Sequence, residues 1–228
     1  MDLIIFDLDG TLIDSSATLL VAQTETFRRC GRRHPGPEAG LEVIGLSLDV
    51  ALARLAGLGQ PDDLLTRTYR EIIGDMHRRA LSDPLLRAPL FPGAPELLAE
   101  IRRQTGLKLG IATGKSRKGT ELVLAQYGWA GMFDTIQTAD DAPSKPHPGM
   151  ALRAMAETGA SPERTVMVGD SSYDMGMAVA AGITPIGVSW GFQPPAALVA
   201  SGARYVLAHL GDLPAALKLP ASPFRPGP

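Results

Sequence analysis

Asp7 and Asp9 stand two residues apart in Ile4-Ile5-Phe6-Asp7-Leu8-Asp9-Gly10-Thr11-Leu12, directly after a short apolar run. On an extended backbone, positions i and i+2 point to the same side, so the two carboxylates would sit close together. Like charges held that near are unfavourable unless a cation or a shared proton offsets them. A divalent ion that takes oxygen ligands, such as Mg²⁺, is the expected offset. Gly10 permits the sharp turn that ends the strand. Taken alone, Asp-x-Asp-Gly would serve equally well as a surface turn. The apolar strand before it and the residues downstream favour chemistry.

Two later stretches repeat this arrangement of an apolar strand followed by polar groups, and a loop between them adds a lysine. Ile111-Ala112-Thr113-Gly114-Lys115 offers a hydroxyl and free backbone N–H groups leading into a helix, which suits phosphate oxygens. Lys145-Pro146-His147-Pro148 holds a lysine in a loop stiffened by prolines. That lysine could neutralise a phosphoryl group and bridge to a carboxylate as a point charge; His147 reads as a helix-entry residue. Val166-Met167-Val168-Gly169-Asp170 ends another strand in an acid, and Asp174 follows on the first turn of the next helix. Both carboxylates could face one cation, one of them through water. N-capping would account for one of these acids but poorly for both. Acidic pair, hydroxyl, lysine and acidic pair at strand C-termini are what metal-assisted phosphoryl transfer requires.

The elements that must position these groups alternate strand and helix. Strands are expected at Leu3 to Phe6, Lys108 to Thr113, Thr135 to Thr138, Thr165 to Gly169, Thr184 to Val188 and Arg204 to Val206. Helices are expected at Glu96 to Thr105, Arg117 to Tyr127, Met150 to Thr158, Tyr173 to Ala181, Ala196 to Ser201 and about Leu210 to Leu217. This alternation predicts a parallel α/β sheet with helices on both faces. Between Ser15 and Pro89 the pattern is helical only. Segments run from Ala17 to Cys30, Leu48 to Leu58 and Asp62 to Leu81, with Pro35-Gly36-Pro37 as a loop. The expected division is a Rossmann-like core from residues 1–14 and 90–228, and a helical insert over 15–89. Hinges would fall near Leu12 to Ser15 and Pro89 to Gly93. The Pro-rich end from Pro220 is expected to fray.

Composition excludes several classes. With 228 residues, the chain suits one sizeable domain plus a smaller insert. Its net charge of −2 gives no reason to expect nucleic acid or an anionic membrane as a partner. A single cysteine, Cys30, excludes an internal disulfide framework and fits a reducing compartment; it reads as a packing residue. No basic n-region or long apolar run marks a signal peptide or a membrane span, so a cytoplasmic monomer or homodimer is expected.

Together these motifs resemble the haloacid dehalogenase-like hydrolase superfamily on its phosphatase side, over essentially the whole chain. Asp7-Leu8-Asp9-Gly10-Thr11 looks like motif one, Thr113 motif two, Lys145 motif three and Gly169 to Asp174 motif four. The helical insert is similar to the family's C1-type cap. Within the superfamily the chain looks most like bacterial phosphoglycolate phosphatase-type enzymes, which implies a small phosphomonoester substrate, phosphoglycolate-like or a sugar phosphate. The resemblance implies Asp7 as the nucleophile forming an aspartyl phosphate, and Asp9 as general acid and then base. It implies Mg²⁺ held by Asp7, the Asp9 backbone carbonyl and Asp170, with Asp174 supporting. Thr113, Gly114 and Lys145 would hold the phosphoryl oxygens. In the insert, Arg54 could meet a substrate carboxylate, but an exposed helix arginine is the favoured reading.

Two other readings compete. A sugar-phosphate mutase of the β-phosphoglucomutase kind would share Asp7, Asp9 and the cap, returning the phosphoryl group to a sugar. A phosphate-accepting signalling domain would carry its acceptor Asp on a middle strand and lack the insert. A catalytically retired interaction protein is disfavoured because every catalytic position is filled.

Overall fold

The computed structural model describes residues 1–104 and 106–219. Six parallel strands form one sheet: β1 (Leu3–Phe6), β2 (Lys108–Ala112), β3 (Thr135–Gln137), β4 (Thr165–Gly169), β5 (Thr184–Val188) and β6 (Tyr205–Leu207). Their order is β3-β2-β1-β4-β5-β6, a Rossmann-like arrangement with β1 at the centre. All four residues of β1 are fully buried, as expected of a parallel strand covered on both faces. Ile4 and Phe6 pack on one side with Leu97, Leu98 and Ile101 of α5 (Ala94–Arg102) and Val123 and Leu124 of α6 (Arg117–Gln126). Leu3 and Ile5 pack on the other, against α7 (Gly149–Thr158) and α8 (Ser172–Ala180). The period-two alternation of a strand thus distributes one apolar run between two cores.

The chain reverses its direction of travel across the sheet at β1, and strand order reversals are where α/β folds place their ligands. Phe6 is level with Ile111 on one side and with Val168 on the other. Asp7, one residue beyond, donates its N–H to the Val168 carbonyl (3.0 Å). Thr113 and Asp170 leave their strands immediately beside it. Three neighbouring strands therefore end at one spot.

The 15–89 region is helical: α1 (Ser16–Arg29), α2 (Pro37–Glu42), α3 (Leu48–Leu55), α4 (Asp63–Ser82) and a 3₁₀ turn at Pro84–Leu86. It has its own apolar cluster, including Phe27, Leu52, Leu65, Tyr69 and Ile72, with Cys30 packed at its edge. Asp62 caps α4 by accepting from the Leu64 and Leu65 N–H groups. The two stretches of chain entering and leaving this region pair with each other. Asp14 N–H donates to Pro89 O (2.9 Å) and Phe91 N–H to Leu12 O (3.0 Å).

Differences from the sequence expectation are local. The stretch expected as a loop at Pro35-Gly36-Pro37 instead opens α2, because Pro37 occupies its first turn, where a missing N–H costs nothing. Helix α3 stops at Leu55, three residues early, ahead of Gly57 in a left-handed conformation. The last expected helix is a 3₁₀ turn (Leu210–Asp212) followed by α10 (Leu213–Ala216), after α9 (Pro195–Ala200). Helix α5 ends at Arg102; the expected extension to Thr105 and the expected fraying from Pro220 lie at or across positions outside the described residues.

Candidate active site

Asp7, Asp170 and Asp174 converge, with one oxygen from each carboxylate within 4.8 Å of the others. All three are buried, at 1%, 2% and 0% exposure. Lys145, itself 1% exposed, enters this cluster and ties it together. Its Nζ lies 2.6 Å from Asp174 Oδ1 and 3.2 Å from Asp7 Oδ1. Asp174 Oδ2 accepts from the Ser171 N–H (3.1 Å) and hydroxyl (2.6 Å), in a capping box that opens α8. Both Asp174 oxygens are thus engaged by the protein. Asp170 accepts from the Thr11 hydroxyl (3.3 Å) and the Phe192 N–H (2.8 Å).

Asp7 differs from both. Its Oδ1 accepts from the Leu8 N–H (2.7 Å), but its Oδ2 is buried without a partner. Burial, then the nearby Asp174 and Asp9 charges, push the Asp7 carboxyl up to about 7 against the pull of Lys145. Burial and the Asp174 and Asp7 charges raise Asp170 well above the usual carboxylate range. Burial alone would lower Lys145, but Asp174 and Asp7 outweigh it and hold the ammonium charged. One cation among three buried carboxylates leaves the cluster short of positive charge. An orphaned oxygen and an all-oxygen donor set fit a hard divalent ion such as Mg²⁺.

Asp9 does not join this cluster. Its carboxylate takes an ion pair from Lys115 (2.8 Å) and a hydrogen bond from the Ser15 hydroxyl (2.5 Å). Thr113 is buried beside it, and its Oγ1 accepts from the Lys115 N–H (3.3 Å). Asp7, Asp9, Thr113, Gly114 and Lys115 line one cavity of ≈ 620 Å³, closed on its far side by residues of α3, α4 and the Val43–Leu48 segment. The helical region is in close contact here. A Cβ on Gly114 would strike the backbone carbonyls of Leu46 and Gly45, and the Ser47 N–H donates to the Ser144 hydroxyl (2.8 Å).

Glycines make the acidic cluster possible. Gly10 has φ +79°, and a side chain there or at Gly191 would run into the Asp170 carboxylate. Nothing in the residue pattern marks the Trp190–Gln193 loop, or Ser15 and the Lys115 ammonium as partners of Asp9. A Gly-Phe pair after a strand carries little signal on its own. Lys115 is two residues past Thr113, where only the fold shows which way it reaches. Arg54 stays outside: it is bound to the Tyr173 hydroxyl (2.9 Å) and Glu42 (3.7 Å) and does not line the cavity. His147 caps its own helix entry, its Nδ1 accepting from the Gly149 N–H (3.1 Å).

Residues 4–188 match the family model described as haloacid dehalogenase-like hydrolase. The chain belongs to that family. It is 34% identical over 226 residues to the protein named probable phosphatase IndB of Dickeya dadantii, covering 97% of each chain. It is 31% identical over 220 residues to the phosphoglycolate phosphatase of Yersinia pseudotuberculosis, covering 95% of this chain and 93% of that one. Among solved structures it resembles CbbY from Rhodobacter sphaeroides in complex with phosphate, with TM-score 0.79 and 25% identity over 96% of this chain and all of the other. Among the described residues, no helix is long and apolar enough to cross a membrane.

Proposed function

We propose that this phosphoric monoester hydrolase of the haloacid dehalogenase-like family cleaves a small phosphomonoester in two steps through an aspartyl phosphate on Asp7. The observation that carries this reading is the separation of Asp7 from Asp9. Two residues apart in sequence, they face opposite surroundings, one in a cation-hungry cluster and the other beside Lys115 and Ser15 at the cavity. Paired carboxylates in unlike environments are suited to different roles in one reaction.

In the first step a carboxylate oxygen of Asp7 attacks phosphorus, and the bond from phosphorus to the leaving oxygen breaks. Asp9 gives that oxygen a proton, so an alcohol departs. In the second step Asp9 takes a proton from water as the water oxygen attacks the same phosphorus. The bond to Asp7 then breaks, releasing inorganic phosphate and regenerating the carboxylate. Lys145, the Thr113 hydroxyl and the Gly114 backbone hold the phosphoryl oxygens and offset their charge. Asp7, Asp170 and the Asp9 carbonyl would hold Mg²⁺, with Asp174 supporting; when bound, the ion lets an anionic phosphate approach an anionic nucleophile. The helical 15–89 region acts as a cap that encloses the reaction, hinged where Leu12 to Ser15 meets Pro89 to Gly93. Its surroundings would be cytoplasmic.

Phosphate release tests this reading. Wild-type protein with Mg²⁺ should liberate phosphate from at least one small phosphomonoester, and Asp7→Asn should lower turnover about 10⁴-fold or more while keeping the melting transition. Appreciable turnover by Asp7→Asn would remove Asp7 from the nucleophile role. Interconversion of sugar-phosphate isomers without phosphate release would favour the mutase.

A further inference from the structure

The wall of the cavity opposite Asp7 and Asp9 is built by α4. Its residues Tyr69, Ile73 and His77 are spaced by four and so form one stripe along the helix. All three line the ≈ 620 Å³ cavity. Tyr69 and His77 are each only 8% exposed. Among the described residues, neither the Tyr69 hydroxyl nor either ring nitrogen of His77 takes part in a hydrogen bond. The helix is held in place by other means: Gln126 of α6 donates to the His77 backbone carbonyl (3.1 Å), and the Tyr69 ring packs in the apolar cluster of the helical region. Both residues share the lining of this cavity with Asp7, Asp9 and Lys115.

Buried polar groups are almost always partnered, and a group left open toward a cavity is suited to a ligand. We propose that Tyr69 and His77 bind hydroxyl groups of the substrate's organic part, so that the preferred substrate is a polyhydroxylated phosphomonoester, a sugar or polyol phosphate. This rests on the phosphatase reading above.

The type of the two groups decides the class. A phenol and a neutral imidazole each donate and accept, which matches alcohol hydroxyls. Burial, then the Lys115 charge, brings His77 down to about 4, so it does not present a cation to a second anionic group. The cations elsewhere on the lining do not form an anion pocket either. Arg70, Arg78 and Lys118 are exposed, and Asp49, Asp63 and Asp140 line the same cavity. The half-buried cation, Lys115, is engaged by Asp9. A two-carbon substrate with a carboxylate would leave most of the volume and both α4 groups unused.

The test compares kcat/KM of the wild type with Mg²⁺ on glucose 6-phosphate, sorbitol 6-phosphate, phosphoglycolate and phenyl phosphate. Expected is a preference of about tenfold or more for a sugar or polyol phosphate over the other two. Tyr69→Phe and His77→Ala should each lower kcat/KM on that substrate about tenfold, mainly through KM, and so narrow its lead over phenyl phosphate. His77→Gln, which keeps a donor and an acceptor, should recover part of the loss. Preference for phosphoglycolate, or both variants within twofold of wild type, would overturn the inference while the phosphatase reading stands. No release from any of the four esters, phenyl phosphate included, would defeat the phosphatase reading and this inference with it.

Discussion

The two sides of the cavity are built on opposite plans. On the sheet side, nearly every polar group is already paired: Lys145 bridges Asp7 and Asp174, Asp174 is capped by Ser171, and Asp170 is held by Thr11 and the Phe192 N–H. The one unpaired oxygen in the acidic cluster is Asp7 Oδ2. On the helical side, Tyr69 and His77 are buried and open. A side whose groups are oriented by one another tolerates little variation, because each neighbour fixes the next. A side whose polar tips hold no hydrogen bond within the protein can lose them at little cost to the fold. As proposed above, chemistry belongs to the first arrangement and choice of substrate to the second.

Removing the cation on the sheet side is the harshest way to test this contrast. Lys145→Met would leave buried carboxylates without their counter-charge. In metal-free protein, urea denaturation should show a loss of about 3–5 kcal/mol, and phosphate release should fall by about 10³-fold. A stable, active Lys145→Met protein would break the comparison.

Joining the two sides too tightly tests it next. Gly114→Val would push against the Leu46 and Gly45 carbonyls and move the helical wall away from the sheet. Steady-state kinetics should show kcat/KM reduced by about 10²-fold, with the acidic cluster and its metal binding retained. Equal loss of metal affinity would mean that the two sides are not separable.

The charge imbalance also gives a pH signature confined to the sheet side. Asp7 is pushed up to about 7 from an ordinary 3.8, so the folded form binds that proton more tightly than the unfolded chain does. Its contribution to stability is full below about 3.8 and is lost as pH rises through about 7. Asp170 is raised in the same direction, and raised Lys145 keeps its contribution throughout this window. The melting temperature of metal-free protein should therefore fall between about pH 4 and 7 through these groups. Mg²⁺, which binds deprotonated carboxylates, should raise it more at pH 8 than at pH 5. A Mg²⁺ shift independent of pH would argue against this cluster as the metal site.

The smallest effect is expected outside the cavity. Arg54 is half-exposed and engaged by Tyr173 and Glu42. Arg54→Ala should change kcat/KM by less than about threefold, since exposed pairs contribute little. A large rise in KM would return Arg54 to the substrate side.

Much of the sheet side is legible in the residue pattern. Leu3 to Phe6, Thr165 to Gly169 and Thr184 to Val188 are apolar runs ended by Asp, Gly or Ser, and the strands have those bounds. The helical side is legible only as a periodicity. Tyr69 and Ile73 are visible as apolar positions of α4, and nothing in the spacing marks Tyr69 or His77 as lining the cavity. α2 escapes a reading by pattern because Pro-Gly-Pro marks a turn and a helix start equally well.

The residue order by itself determined which chemistry the strand ends carry. A short apolar run ending in a carboxylate needs only local rules, namely burial, period two and a turn, to place that group at an edge of a parallel sheet. Tertiary structure alone decided which carboxylates share a cation and which stands apart. Asp7 and Asp9 are close neighbours in the chain, yet Asp7 sits with Asp170 and Asp174 while Asp9 sits with Lys115. Those partners lie far along the chain, and electrostatic pairing depends on distance in space, which strand order and the packing of α4 set.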